Sequence, residues 1–408
     1  MGDFYQSGIV NTLHNITNRP LDELEQELVK FSASRPMALT LPSLYSELEG
    51  PALSKIIEKL SHVPYLDNIV IGLDRADEAQ FRHALTFFDR LPQFHRVLWN
   101  DGPRLKAIDA ELAAKGLAPK ELGKGRNVWY CLGYILACGK AEAIALHDCD
   151  IVTYEREMLA RLFYPVANPS FNYEFCKGFY ARVADNRLNG RVSRLLVTPL
   201  LRALKLIYGA HPYLEFLDSF RYPLAGEFSM RMDVVKDLRI PSDWGLEIGV
   251  LSEMNRNYAM NQICQVDIAD VYDHKHQPLS EDNPSAGLSR MSTDIAKALF
   301  RKLATTGEVF STETFRSIKA TYYRVALDFV DIYYNDAMLN GLTVDRHEEE
   351  KAVELFAENI VNAGNFFLEN PMETPFIPSW NRVISAIPDV LPRFKAAVEA
   401  DAKEFANS

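Results

Sequence analysis

Between Met37 and Asp150 the chain alternates short apolar runs with longer segments whose apolar residues recur at helical spacing, and this alternation narrows the possible folds most. MALTLPSL, DNIVIGLD, HRVLWND and AEAIALHDCD read as buried strands. PALSKIIEKLSHV, EAQFRHALTFFDRL and GRNVWYCLGYILACG read as the helices between them. Such a chain closes as a parallel α/β sheet with crossover helices. Ligands of these sheets collect at the carboxyl ends of the strands. The sequence sets polar residues there: Ser43 and Glu47, Asp74, Asn100 and Asp101, then His147, Asp148 and Asp150.

Beyond Asp150 the pattern loosens. YEREMLARLF reads as a helix, FNYEFCKGFYARV as strand-like, ADNRLNGR as a polar loop and VSRLLVTPLLRALKLIYG as a long helix. PLAGEFSMRMD and SDWGLEIGVLSEMN read as loop-rich, and nearly everything after residue 290 as helical. A formal net charge of -11 over 408 residues argues against bulk nucleic-acid binding and against a polybasic membrane surface. It leaves room for a local basic pocket. The N-terminus lacks the pattern of a signal peptide, and no apolar stretch approaches a membrane span, so a cytoplasmic protein is expected. The five cysteines include no CxxC pair and read as reduced, mostly buried thiols.

Five motifs carry chemistry. Asp148 and Asp150 flank Cys149 at a strand end, where two carboxylates on one side make a hard-oxygen site for Mg²⁺ or Mn²⁺. Lys124 stands between Gly123 and Gly125 at a helix start, which favours anions. Gly190, Arg191, Val192 and Ser193 open the next long helix, where N–H groups, a guanidinium and a hydroxyl suit a phosphate or carboxylate. His274 or His276, in DHKHQP, could complete a metal site begun by the two aspartates. Trp244 and Glu247, in WGLE, offer a ring for a sugar face and an acid for its hydroxyls. Each has an ordinary alternative: solvated acids, an exposed lysine, a helix cap, surface histidines, or a helix start with an early acid.

In this order, GKG, DCD, GRVS, PLAGEF, WGLEIG and HKHQPLS resemble the retaining glucosyl-3-phosphoglycerate synthases and their mannosyl relatives, over roughly residues 37–290. The resemblance implies a GT-A fold, α/β with a Rossmann-like, mostly parallel sheet, together with an acceptor-binding region and a helical C-terminal extension. It implies a nucleotide-sugar-binding core over 36–225 and an acceptor and metal-site region over 226–290. A helical lead-in over 1–35 and a helical region over 291–408 flank these. Asp150 and His274 would hold Mg²⁺ or Mn²⁺. Asp150, Lys124 and Glu247 would be catalytic. Leu44, Glu47, Asp74, Lys124, Asp148 and Glu247 would bind the donor, although PSLYSELEG and GLDRADE depart from the usual family segments. Gly190, Arg191 and Ser193 would bind a phosphorylated acceptor.

The expected reaction moves glucose from UDP-glucose or a similar donor to the 2-hydroxyl of 3-phosphoglycerate. Alternatives are transfer of mannose or glucose to glycerate or another small acid, and a metal-dependent nucleotidyltransferase. A non-catalytic nucleotide-sugar-binding protein is disfavoured by Asp148, Asp150, Lys124, Glu247 and His274 occurring together. The expected partners are a nucleotide-sugar and a small anionic acceptor, with no nucleic acid and no membrane span, in a homodimer.

Overall fold

The computed structural model describes residues 6, 8–274, 287–371 and 376–406. Its first six strands are β1 (Asn11–Leu13), β2 (Met37–Leu44), β3 (Leu66–Asp74), β4 (His95–Trp99), β5 (Ala143–Leu146) and β6 (Phe175–Tyr180). A hairpin of β7 (Val183–Ala184) and β8 (Arg187–Leu188) follows, then β9 (Phe228–Arg231), β10 (Ile240–Pro241), β11 (Ile263–Ala269) and β12 (Phe376–Ile377). Eight of these form one sheet in the order β1-β11-β6-β9-β5-β2-β3-β4. All neighbours in it are parallel except that β9 runs antiparallel to both β5 and β6. The α/β class expected from the alternation is observed, and its sheet is mostly parallel as the resemblance implies.

Parallel strands buried on both faces must be apolar throughout, and β2 and β3 show this with buried Leu39, Leu41, Ile69 and Ile71. One apolar layer packs the helices Pro51–Leu60, Glu78–Phe88 and Arg156–Ala167 on one face. The other face carries Lys124–Cys138, Thr198–Tyr208 and the helices of the C-terminal region. The helix Lys124–Cys138 is buried along most of its length under the C-terminal region, where Trp380 stacks on Trp129 at 4.1 Å and Phe394 on Tyr130 at 5.7 Å.

Two expectations need correction. The lead-in is not purely helical: besides the helix Leu21–Ser32 it supplies β1, an edge strand fixed by Gln265 Nε2 donating to Thr12 Oγ1 at 2.9 Å. SDWGLEIGVLSEMN is not loop-rich but builds the helix Leu246–Asn257. Its Gly249 lets the helix lie against β10, since a Cβ there would come 2.1 Å from Pro241 Cγ. The C-terminal region is helical as expected, apart from the two-residue β12, which pairs antiparallel with β10.

The long helix after Arg191 opens with a wide π turn, Val192–Val197, before Thr198–Tyr208. Pro199 has no N–H to offer Leu195 four residues back. The Leu195 carbonyl instead accepts from Tyr322 Oη at 2.6 Å, on the helix Thr312–Leu339.

Candidate active site

Strand β5 ends at Leu146, and Asp148 and Asp150 stand in the turn that follows. Directly after that turn, Ile151 pairs antiparallel with His274, and Val152 N donates to the Asp273 carbonyl at 2.9 Å. This short pairing brings two motifs distant in sequence together: His274 Nδ1 lies 3.8 Å from Asp150 Oδ2. On the other side of the ring, Arg182 Nη1 lies 2.6 Å from His274 Nε2. The imidazole is therefore held between a guanidinium and a carboxylate.

Burial, together with the charge of Asp148, pushes the Asp150 carboxyl up to about 7, and Glu47 adds to the push. Burial and Asp148 also raise Glu227, which is fully buried. Such a surplus of negative charge next to an imidazole is the donor set that suits a hard divalent cation, so Asp150 and His274 fit the Mg²⁺ or Mn²⁺ expected of them. Among the described residues no group of three or more His, Cys, Asp or Glu side chains forms a ready-made cation cage. Two protein ligands with the remaining positions left to substrate oxygens and water is the usual arrangement for Mg²⁺. His276 and the rest of HKHQPLS after His274 lie outside the described residues.

A proton and a cation compete for Asp150, because the carboxylate must be ionised to ligate. With the metal-free group near 7, apparent Mn²⁺ affinity should fall by about tenfold per pH unit below 7 and level off above about 8. Calorimetric titrations at pH 6 and pH 8 read this directly; equal affinities at both would remove Asp150 from the ligand set.

Asp148 faces a different partner. Lys124 Nζ lies 2.7 Å from Asp148 Oδ1 and 3.2 Å from Glu247 Oε1, bridging DCD to WGLE. Burial disfavours the ammonium, but Asp148 and Glu247 outweigh it and raise the Lys124 pKa. Lys124 in turn outweighs burial at Asp148 and holds that carboxyl below the usual range. The glycines of two motifs explain the fit. A Cβ on Gly125 would come 2.0 Å from the Pro241 carbonyl oxygen, so only glycine lets the helix start press against β10. A Cβ on Gly226 would come 2.4 Å from Asp148 Oδ2 and 2.9 Å from Lys124 Nζ, so the PLAGEF loop can close over this pair only without a side chain.

A cleft of about 1280 Å³ adjoins His274 and is lined by Gly190, Arg191 and Ser193, by Arg182, and by Arg346 and Glu349 of the C-terminal region. Gly190 has φ +78, and its Cα side packs beside Arg182 and Tyr222, 3.3 Å from where a Cβ would stand. Asn189 N donates to the Arg182 carbonyl at 2.7 Å, tying the loop to the residue that contacts His274. Ser193 is buried, and its Oγ meets no hydrogen-bond partner among the described residues. Arg191 is partly exposed and its Nε donates to Glu349 Oε1 at 2.8 Å.

The chain is 47% identical to the glucosyl-3-phosphoglycerate synthase of Persephonella marina, over 98% of this chain and 99% of that protein. It is 40% identical to the glucosyl-3-phosphoglycerate synthase of Methanococcoides burtonii, over 99% of each chain. It belongs to the glucosyl-3-phosphoglycerate synthase family. As a member of that family it is a glycosyltransferase. A crystal structure of the Mycobacterium tuberculosis glucosyl-3-phosphoglycerate synthase in complex with Mn²⁺, uridine-diphosphate and glucosyl-3-phosphoglycerate is similar in fold. Its TM-score is 0.53 at 20% identity, over 72% of this chain and 88% of that one. No family model matches the chain.

Within this family member, the remaining donor-site expectations spread along the carboxyl edge of the sheet. Leu44 ends β2 in register with Asp74 at the end of β3. Glu47 sits in the short helix Tyr45–Leu48, near enough for its charge to act on Asp150. Asp74 is buried and accepts from Asn100 Nδ2 at 2.7 Å; burial pushes its carboxyl up to about 6. Trp244 stays 39% exposed, so of the WGLE pair it is Glu247 that the structure draws to Lys124.

The sequence reading missed four residues. Glu227 accepts from the Tyr180 and Tyr272 hydroxyls at 2.8 and 2.7 Å, whose rings stack 3.7 Å apart; Tyr180 ends β6 and Tyr272 stands two residues before His274. Lys177, buried in β6, donates to the Ala225 carbonyl at 2.6 Å and so holds the PLAGEF loop; burial lowers its pKa to about 8. Arg182 and Glu349 are the other two. A lysine inside an apolar strand and an acid following PLAG were visible signals for the first pair.

Among the described residues no helix is long and apolar enough to cross a membrane.

Proposed function

We propose that this protein transfers glucose from UDP-glucose to the 2-hydroxyl of 3-phosphoglycerate with retention at the anomeric carbon. The observation that carries the reading is the continuity of the site: the GRVS loop contacts Arg182, Arg182 contacts His274, and His274 lies beside Asp150. Relatives along nearly the whole chain carry the name of this activity, which supports the same reading.

In this reading Asp150 and His274 hold a Mg²⁺ or Mn²⁺ ion, which when bound neutralises charge on the donor diphosphate. Lys124 adds a fixed cation beside Asp148. Glu247, anchored on Lys124, takes the donor sugar hydroxyls, and Leu44, Glu47 and Asp74 bound the nucleotide. Arg191, Ser193 and the N–H groups after Gly190 take the acceptor phosphate. The bond from the anomeric carbon to UDP breaks as the bond to the acceptor oxygen forms on the same face. The proton of the acceptor hydroxyl passes to the departing phosphate oxygen. The reading includes a homodimer in the cytoplasm; analytical ultracentrifugation reads the first.

The test is a screen of nucleotide-sugars against 3-phosphoglycerate and glycerate, with product identification, with and without EDTA. Release of pyrophosphate from a nucleoside triphosphate would instead favour nucleotidyl transfer. Arg191→Ala should raise KM for 3-phosphoglycerate while sparing the KM for UDP-glucose. A charge-assisted hydrogen bond contributes about 1.5–3 kcal/mol, so the expected rise is about 10- to 100-fold. Glycerate, lacking the phosphate, should be affected much less; equal losses with both acceptors would take Arg191 off the phosphate.

A further inference from the structure

The acceptor loop is held from below by a residue of the C-terminal helices. Glu349, in the first turn of the helix Arg346–Glu369, is only 3% exposed. Its Oε1 accepts from Arg191 Nε and its Oε2 from Arg194 Nη1, both at 2.8 Å. The two arginines differ in burial. Arg194 is 7% exposed and also donates to the carbonyls of Asn189 and Leu188 at 2.8 and 3.3 Å, so it fixes the backbone leading into Gly190. Arg191 is 34% exposed, lines the cleft, and is gripped through Nε, which leaves its two terminal amino groups for a ligand.

One carboxylate against two guanidinium groups leaves the cluster one unit positive. Arg194 neutralises Glu349 out of water, and the remaining positive charge sits on the partly exposed arginine at the cleft. A second tie supports the same geometry: Thr343, just before that helix, donates from N and Oγ1 to the Asn186 carbonyl at the tip of the β7–β8 hairpin, at 2.8 and 3.0 Å.

We infer that Glu349 is a positioning residue for the acceptor phosphate, holding Arg191 in its binding pose, so that the C-terminal helical region is part of the acceptor site. The inference rests on the proposed transfer to 3-phosphoglycerate. An arginine clamped before the ligand arrives loses less conformational freedom on binding. Two opposing effects meet here, since removing a carboxylate also makes the pocket more positive. Orientation wins, because Arg191 freed from Glu349 returns to the many rotamers of a partly exposed side chain, while Arg194 keeps its bonds to the Asn189 and Leu188 carbonyls and so holds the loop backbone.

The experiment is a double-mutant cycle in the full chain with Glu349→Gln, Arg191→Ala and the pair, by steady-state kinetics. The single Glu349→Gln change should raise KM for 3-phosphoglycerate by about three- to tenfold, the scale of one rotamer-rich side chain left free. It should change KM for UDP-glucose and the kinetics with glycerate much less than KM for 3-phosphoglycerate, and add little in the Arg191→Ala background. Glu349→Asp should fall between wild type and Glu349→Gln, and it carries the same cycle if the glutamine variant does not fold. Additive losses, equal losses for donor and acceptor, or a lower KM in Glu349→Gln would each overturn the positioning role. Wild-type turnover with 3-phosphoglycerate is measured first: its absence sinks the proposed reaction, whereas its presence with an additive cycle sinks only the role of Glu349.

Discussion

Asp150→Ala should lose metal-dependent turnover by about a thousandfold or more, since a bound divalent cation supplies several kcal/mol of charge stabilisation and each 1.36 kcal/mol is tenfold. The loss should come without unfolding. Asp150 is pushed up to about 7 from an ordinary 3.8. A carboxyl raised in the folded state stabilises the fold while protonated and loses that contribution as pH rises through 7. Deleting it therefore removes a strained charge at pH 8. Metal-free wild type and variant, melted side by side at pH 8, should show the variant at least as stable. Full activity in the variant, or in thoroughly chelated wild type, would end the metal assignment; a variant that melts far below wild type would mean that Asp150 holds the fold rather than a cation.

Gly226→Ala should cost about 100-fold in kcat/KM, the scale expected of a misplacement of about 1 Å at a reacting centre. The added Cβ meets Asp148 Oδ2 and Lys124 Nζ, the far ends of two side chains, at 2.4 and 2.9 Å. Side-chain ends can move, so the sheet around β5 and β9 should survive. The ion pair cannot keep its 2.7 Å geometry, and Glu247 shares the same ammonium. The expected result is a melting temperature close to wild type with a large activity loss. Near-normal turnover would show that the PLAGEF loop does not bear on Lys124 during the reaction. The neighbouring Gly125→Ala makes the opposite case: its Cβ would strike the backbone of Pro241 at 2.0 Å, and stability should fail first.

What could be read from the sequence divides by distance along the chain. β2, β3, β4 and β5 were legible because each is a local apolar run, and Asp74, Asp148 and Asp150 because they follow such runs directly. Lys124 and Glu247 were legible as motif residues, but their meeting at one ammonium depends on β10 packing between their helices. β9 was hidden, since a strand of four residues between parallel neighbours gives no sign that it runs the other way. Its direction sets Phe228 opposite Leu146, and this register brings Glu227 and Gly226 to the turn after β5. The grip of Glu349 on Arg191 spans 158 positions and leaves no local trace in either segment. The ordinary alternative for Arg191, a solvated helix-start residue, would have hidden it equally well.

The helix Val390–Ala406 reaches from the helix Trp380–Ala386 across to β4 at the edge of the sheet. Phe405 packs edge-on against Phe81 and Trp99, themselves stacked at 4.9 Å, and Arg96 pairs with Glu399 at 2.8 Å. A ribosome making this chain finishes the third helix-covered strand long before it makes the cover. At about 5–20 residues per second, the delay between Trp99 and Val390 is about 15–60 s. Throughout that interval the nascent sheet carries an uncovered aromatic face, and nascent-chain chaperones that bind such faces would meet it there before the last helix does.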